Sequence, residues 1–259
     1  MHQKNYSCAC VTGATSGIGL AYCHHLASHG TDLILVARDE ETLRELSKKL
    51  SDQYGVNAWY YPIDLSKRGS AKALVSAMEL DQLNIDLLIN NAGHGDVGEF
   101  LEEPWQHHEA LIQLMLTSLT ELCYLLLPQL IRQQQAGIIN VSSIVSLMSM
   151  PLKGRKLRLL YEPIKSYVTE LSRGLSKQYA HQGVKVQALC PGLTLSNFHQ
   201  RIDESELYSI IPKAFWMQPE AVVKSSWRAL IKSKRSCVVS GWKNKLLVMI
   251  FKGIHLFRF

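Results

Sequence analysis

The turn Thr12-Gly13-Ala14-Thr15-Ser16-Gly17-Ile18-Gly19 constrains this chain more than any other segment. It follows a short apolar run, Cys8-Ala9-Cys10-Val11, and precedes a helical pattern from Leu20 to Ala27. A strand, a glycine turn and a helix start in that order make an anion site. The first N–H groups of the helix are free, and the helix dipole favours negative charge beside them. Gly13 permits the tight turn, Gly17 lets a pyrophosphate approach the backbone, and Gly19 lets helix and strand pack closely.

The segment Thr31-Asp32-Leu33-Ile34-Leu35-Val36-Ala37-Arg38 reads as a second parallel strand, apolar on both faces. A site that takes NAD would place Asp or Glu near its end to hold the ribose 2′-hydroxyl. Ala37 stands there instead and Arg38 follows. A guanidinium matches the 2′-phosphate of NADP, whereas a carboxylate would repel it. NADP is therefore favoured over NAD, unless Arg38 is only a solvated loop charge.

Strand and helix signals alternate along the rest of the chain. Further strands are predicted at Asn57–Ile63, Ile85–Asn90, Gly137–Val141, Val184–Leu189 and Cys237–Ser240. Helices are predicted at Glu40–Gln53, Ser70–Leu80, Pro104–Arg132, Glu162–His181 and Pro219–Lys232. This pattern predicts a doubly wound, mainly parallel sheet with helices on both faces and a ligand crevice at the carboxyl ends of the strands. Residues 1–241 are expected to form a single dinucleotide-binding and catalytic domain, with 242–259 a basic, apolar tail. Leu111–Ile131 is apolar enough to resemble a membrane span, but Gln113, Glu121, Pro128 and Gln129 and its place between two strands favour a buried helix at a subunit contact.

Charge separates the tail from the body. The chain carries 28 Lys and Arg against 22 Asp and Glu, a formal net charge of +6. Seven basic residues (Lys232, Lys234, Arg235, Lys243, Lys245, Lys252, Arg258) and no acidic one lie beyond Ile231, which leaves 28 − 7 = 21 basic against 22 acidic elsewhere. A balanced body speaks against nucleic-acid binding. The six cysteines show no metal-ligand spacing, so no metal is expected. Reduced cysteines and a polar start without a signal peptide suit a cytoplasmic protein.

Taken in order, the Thr12–Gly19 turn, Asp64-Leu65, Asn90-Asn91-Ala92-Gly93, Val141-Ser142-Ser143, Tyr161-x-x-x-Lys165 and Pro191-Gly192 with Thr194 resemble the short-chain dehydrogenase/reductase family over nearly the whole chain. The resemblance implies a Rossmann-like sheet of about seven strands, a bound nicotinamide dinucleotide and a homodimer or homotetramer. It implies that the cofactor is held by Gly13, Thr15, Ser16, Gly17, Ile18, Gly19, Arg38, Asp64, Leu65, Asn91, Ala92, Gly93, Tyr161, Lys165, Pro191, Gly192 and Thr194. It also implies that Lys165 holds the nicotinamide ribose.

Tyr161 and Lys165, four apart, project from one helix face a turn apart. Pro163 between them places the helix start at or just after Tyr161. A free phenol, with pKa about 10, is a poor acid or base near neutrality, and a neighbouring ammonium would lower that value. The expected chemistry is hydride transfer between nicotinamide and a carbonyl or hydroxyl carbon, with Tyr161 as acid or base and Ser143 orienting the reacting oxygen.

Two departures from the family bear on this. Counting back 13 residues from Pro128 reaches Met115, where the family has a helix asparagine that kinks the helix and holds a proton-relay water. A thioether cannot donate a hydrogen bond, so Met115 should weaken that relay. The spacing from Ser143 to Tyr161, 161 − 143 = 18, is also longer than usual. The extra residues fall in Leu152–Leu160, a loop with four basic residues that either recognises an acidic substrate group or is merely solvated. Ser146 and Ser149 are rival serines, with Ser143 preferred because it follows a strand directly.

A lid is expected at Leu193–Met217, where Phe198, Tyr208, Ile210, Ile211, Phe215, Trp216 and Met217 suit a hydrophobic substrate or their own packing. The segment 242–259, too short and charged to span a bilayer, suits peripheral contact with an anionic membrane surface or a subunit interface. The leading function is an NADP-dependent oxidoreductase. The rival is an NADP(H)-binding sensor or scaffold with little turnover, favoured by Met115 and the long serine–tyrosine spacing.

Overall fold

Seven short runs of apolar residues become seven parallel strands in the computed structural model, which describes residues 5–95, 100–133, 135–148, 159–195, 216–233 and 235–256. They are β1 (Cys8–Thr12), β2 (Asp32–Ala37), β3 (Ala58–Pro62), β4 (Leu87–Asn90), β5 (Ala136–Val141), β6 (Val184–Cys190) and β7 (Cys237–Val239). Their order is β3-β2-β1-β4-β5-β6-β7. The chain winds outward from β1 in one direction through β2 and β3, then returns to β4 on the other side. That reversal puts the switch-point crevice between the carboxyl ends of β1 and β4. β1, β4 and β5 are buried along their whole length, because helices cover both faces of the sheet.

On one face lie α1 (Gly17–Ala27), α2 (Glu40–Tyr54) and α7 (Pro219–Lys232), packed on Val11, Leu33, Leu35 and Ile89. Tyr22 of α1 reaches across to α7, where its hydroxyl donates to Ser226 Oγ at 2.6 Å in full burial. On the other face lie α3 (Ser70–Leu80), α5 (Ser118–Ile131) and α6 (Tyr161–Tyr179), packed on Cys10, Ile34, Leu88 and Ile138. Alternate residues of each strand therefore feed two separate cores.

The helix predicted at Pro104–Arg132 is α4 (Trp105–Ile112) and α5 joined by a π-helical turn, Gln113–Thr117. It is the one helix among the described residues that is long and apolar enough to cross a membrane. Leu119, Leu122, Cys123, Leu126 and Leu130 are instead buried in the second core, so its apolar character is explained by the sheet it covers.

The segment 242–259, expected as a tail, is in contact with the residues before it. Residues Trp242–Leu256 form α8, with Asn244 and Val248 only 4% and 6% exposed. Leu247, Val248 and Phe251 join Ile144, Met148, Ala188 and Cys190 in a third cluster. One stripe of this basic segment is thus packed inward, which the sequence did not single out because both sides of the helix are apolar. Replacing Val248 by Ala should cost about 2 kcal/mol of unfolding free energy, from lost burial and a residual cavity. Met249→Ala, on the exposed side, should cost about 0.5 kcal/mol or less. Urea titration of the two variants checks the difference.

Candidate active site

The glycine turn has the backbone that its sequence requires. Gly13 and Gly17 have φ of +66° and +51°, a region that side chains avoid. Gly19 is held for a different reason: a Cβ there would lie 2.1 Å from Gly13 O. Ser16 is the N-cap of α1 but makes no capping bond, and the first turn of α1 holds no acidic residue. The first N–H groups of α1 thus keep the field and the free donors that bind an anion. Thr15, Ser16 and Ile18 are half-buried at the rim.

A latch to β4 fixes this turn. Thr12 Oγ1 donates to Ile89 O and accepts from the N–H groups of Asn91 and Ala92, at 2.9 and 3.0 Å. Asn91 Nδ2 donates back to Thr12 O and Gly13 O, at 3.0 and 3.2 Å. The sequence suggested Asn91 as a pocket residue; its side chain is a staple between the two strands at the switch point. Thr12, the other half of the latch, was not among the expected site residues. Its signal was its place at the last position of a buried strand, where a hydroxyl needs a partner.

Arg38 is exposed just past β2, and its charge helps to hold the Asp64 carboxyl below its ordinary range. Burial of Asp64 acts in the opposite sense and is outweighed by hydrogen bonds from Ser66 together with Arg38. Both of those bonds are to Asp64 Oδ1, from Ser66 N at 3.0 Å and Ser66 Oγ at 2.7 Å. The carboxylate therefore caps the turn after β3. Leu65 is buried, and its carbonyl accepts from Ser118 Oγ at 2.7 Å.

Ser143 stands in extended conformation beyond β5 and caps a short 3-10 turn, Ile144–Leu147. Its hydroxyl lies near enough to the Tyr161 phenol to act against the rise of that group's pKa. Lys165, one turn along α6, places Nζ 5.7 Å from the centroid of the Tyr161 ring and donates to Val141 O at 2.8 Å. Ser142 fixes the lysine's backbone, its hydroxyl donating to Lys165 O at 2.8 Å. The long Ser143–Tyr161 spacing thus does not separate the two side chains. Of the rival serines, Ser146 donates to Ser143 O at 2.7 Å and braces the turn, and Ser149 lies outside the described residues. So do the four basic residues of the 152–160 loop and residues 196–215 of the lid.

The electrostatics differ from the expectation of a phenol acidified by lysine. Burial pushes Tyr161 up to about 12, with Ser143 opposing it. Burial also pulls Lys165 down to about 8. Met115 contributes to this dryness: it is buried with Leu111 and Ile164 in an apolar cluster that packs on Tyr161. It also fills the space beside Gly93, where a Cβ would meet Met115 Sδ at 3.5 Å. The π-turn containing Met115 persists without the family's asparagine. Gln113 Nε2 donates to Ser118 Oγ across it at 3.0 Å, while Ser118 is anchored on Leu65. Side chains at either end thus hold the extra residue in place.

Pro191, Gly192 and Thr194 follow β6 on the same side of the sheet. Ile144 N donates to Pro191 O at 2.9 Å, joining this segment to the Ser143 turn. Gly192 is required because Asn244 of α8 lies against it: a Cβ there would sit 2.4 Å from Asn244 Nδ2. No sequence signal pointed to Asn244. The two ends of the lid meet, with Leu195 N donating to Met217 O at 3.0 Å and Met217 N to Leu193 O at 2.9 Å.

A family profile described as short chain dehydrogenase matches residues 7–207. The 7beta-hydroxysteroid dehydrogenase of Mediterraneibacter gnavus is 25% identical over 98% of this chain and 94% of its own. The very-long-chain 3-oxoacyl-CoA reductase of Anas platyrhynchos is 31% identical over 71% of this chain and 58% of its own. Among solved structures, a short-chain dehydrogenase from Sphingobium yanoikuyae in complex with NADPH superposes with a TM-score of 0.80 at 28% identity, covering 97% of this chain and 96% of that one.

Replacing Met115 by Asn should wet the cluster around Tyr161 and lower the phenol's pKa towards its ordinary value. Ultraviolet difference titration of the tyrosinate band, with Tyr161→Phe as the subtraction control, checks this. An unchanged titration would show that Met115 does not set the phenol's environment.

Proposed function

This chain belongs to the short-chain dehydrogenase family and is a hydride-transferring oxidoreductase, and from that premise we propose that it is an NADP-dependent reductase of carbonyl groups on hydrophobic substrates. The observation that carries the proposal is the Ser143–Tyr161–Lys165 group at the carboxyl end of the sheet. The residues present suit a dinucleotide: the start of α1 is uncapped and free of acidic side chains, and Gly13 and Gly17 of the turn have positive φ. Gly13, Thr15, Ser16, Gly17, Ile18 and Gly19 would hold the pyrophosphate. Arg38 would hold the 2′-phosphate, with Asp64 and Leu65 at the adenine and Asn91, Ala92 and Gly93 along the ribose. Pro191, Gly192 and Thr194 would cover the nicotinamide. When bound, the nicotinamide supplies or accepts the hydride.

The protein's own residues handle the proton and the orientation. Ser143 donates to the carbonyl oxygen and fixes it beside Tyr161. Tyr161 gives its proton to that oxygen as negative charge develops there. A phenol held near 12 keeps its proton at neutral pH, which suits reduction more than oxidation. The Lys165 ammonium steadies the phenolate left behind, and its remaining donors suit the ribose hydroxyls.

NADP is supported by Arg38 with no acidic residue at Ala37, and by the NADPH held in the Sphingobium structure. A hydrophobic substrate is supported by the apolar lid sequence and by the steroid and acyl compounds named for similar proteins. We assign the protein to the cytoplasm as a homodimer or homotetramer, with peripheral contact between 242–259 and a membrane surface.

Tyr161→Phe should lower kcat for NADPH-dependent ketone reduction by on the order of 1000-fold while leaving the Kd for NADPH near that of the wild type. Arg38→Asp should raise KM for NADPH by on the order of 10- to 100-fold and improve use of NADH. Reductive kcat/KM should fall as pH rises through about 8, because Lys165 loses its charge there. Alcohol oxidation should instead keep rising into alkaline solution, because it needs the phenolate. Steady-state kinetics over pH 6–10 distinguishes the two directions.

A further inference from the structure

A groove of about 710 Å³ lies between α7, β7 and α8, on a surface that the reductase reading does not use. Lys224, Arg228 and Lys232 of α7, Arg235 before β7 and Lys245 of α8 line it, and no acidic residue does. All five are exposed. Lys224, Arg228 and Lys232 recur every four residues, so three like charges share one helix face, and the one acidic residue of α7, Glu220, lies a turn before Lys224 and outside the groove lining.

The adjoining surface is apolar. On the outer side of α8, Trp242, Leu246, Met249 and Ile250 are 71%, 49%, 69% and 51% exposed. Their spacing of i, i+4, i+7 and i+8 makes one stripe. Lys245 borders the stripe on the groove side and Lys243 on the other. Apolar side chains flanked by lysines form the surface of a helix lying in a lipid interface, where long cationic side chains reach outward to phosphate. A soluble polyphosphate would answer the cations but leave the stripe in water. A lipid surface answers both.

We propose that the α7–β7–α8 groove binds the phosphates of anionic phospholipids while the outer stripe of α8 enters the interface. This rests on the membrane contact assigned above to 242–259 and adds to it a headgroup site built mostly from residues before that segment. It also sets the orientation. The inner side of α8 packs on Ile144 and Met148, directly after Ser143, and its Asn244 lies against Gly192. A bilayer touching α8 is therefore one helix thickness from the catalytic serine's turn, so an apolar substrate can pass from lipid to site with little exposure to water.

The test is co-sedimentation of the full-length protein with vesicles of phosphatidylcholine, alone or mixed with phosphatidylglycerol. Wild type should pellet with the mixed vesicles, less at high salt. The triple variant Lys224→Glu, Arg228→Glu, Lys232→Glu should bind them more weakly by on the order of 100-fold. It should still reduce a small water-soluble ketone at the wild-type rate, which shows that it is folded. Trp242→Ser with Met249→Ser should weaken binding to both vesicle types. If the triple variant keeps full binding while the Trp242, Met249 variant loses it, the membrane contact stands and the groove proposal is overturned. If wild type pellets with neither vesicle, both are overturned. Pyrophosphate bound by the vesicle-free protein and lost in the triple variant, with sedimentation on mixed vesicles the same for wild type and triple variant, would assign the groove to soluble phosphates and overturn the lipid reading.

Discussion

The exchange of hydrogen bonds between Thr12 and Asn91 is the constraint on which the site depends. β1 and β4 are adjacent in the sheet but 75 residues apart in sequence, from Thr12 to Leu87. Their carboxyl ends part at the switch point, where the sheet offers no more ladder bonds. One hydroxyl and one amide replace those bonds, satisfying two backbone donors and three backbone acceptors. The glycine turn is thereby held open at a fixed distance from the Asn91–Gly93 segment. A crevice built this way is ordered before any ligand enters, so binding need not bear the entropy of assembling it.

The second feature is the dryness around the phenol. Tyr161 packs on the apolar cluster that contains Met115, and burial raises the phenol as it lowers the ammonium of Lys165 one turn along. Both groups are thereby pushed towards their neutral forms. A proton donor gains from this arrangement, because a protonated phenol is what carbonyl reduction consumes. A proton acceptor loses, because the phenolate must form in a poorly solvated place.

The third is the position of α8. It is amphipathic twice over: one apolar stripe closes the core behind Ser143 and Gly192, and another faces outward beside the lysines. Events at the outer surface of this helix are therefore one layer away from the Ser143 turn. Because Asn244 occupies the space beside Gly192, a small displacement of α8 would be felt where the nicotinamide end of the site is expected.

Much of this was legible in the linear chain. Alternating apolar runs located all seven strands to within two residues at either end, since a strand buried on both faces has little freedom of composition. Gly13 and Gly17 announced a backbone conformation that few other residues adopt. Tyr161 and Lys165 at helical spacing announced a shared face. Other features depended on partners distant in sequence. Asn91 became a staple, Ser146 a brace and Asp64 a cap because of what the folded neighbours offered their side chains. Asn244 and Val248 joined the core because β6 and the Ser143 turn left a space for them. The π-turn around Met115 persisted because Gln113 bonds Ser118 across it and Ser118 is anchored on Leu65 outside the helix. Sequence alone determined which residues could form the elements and supply the chemistry, because backbone freedom and burial are largely local constraints. Only the tertiary structure decided which polar atoms were already engaged, and how dry the phenol became, because hydrogen-bond partnership and desolvation depend on everything packed around a group.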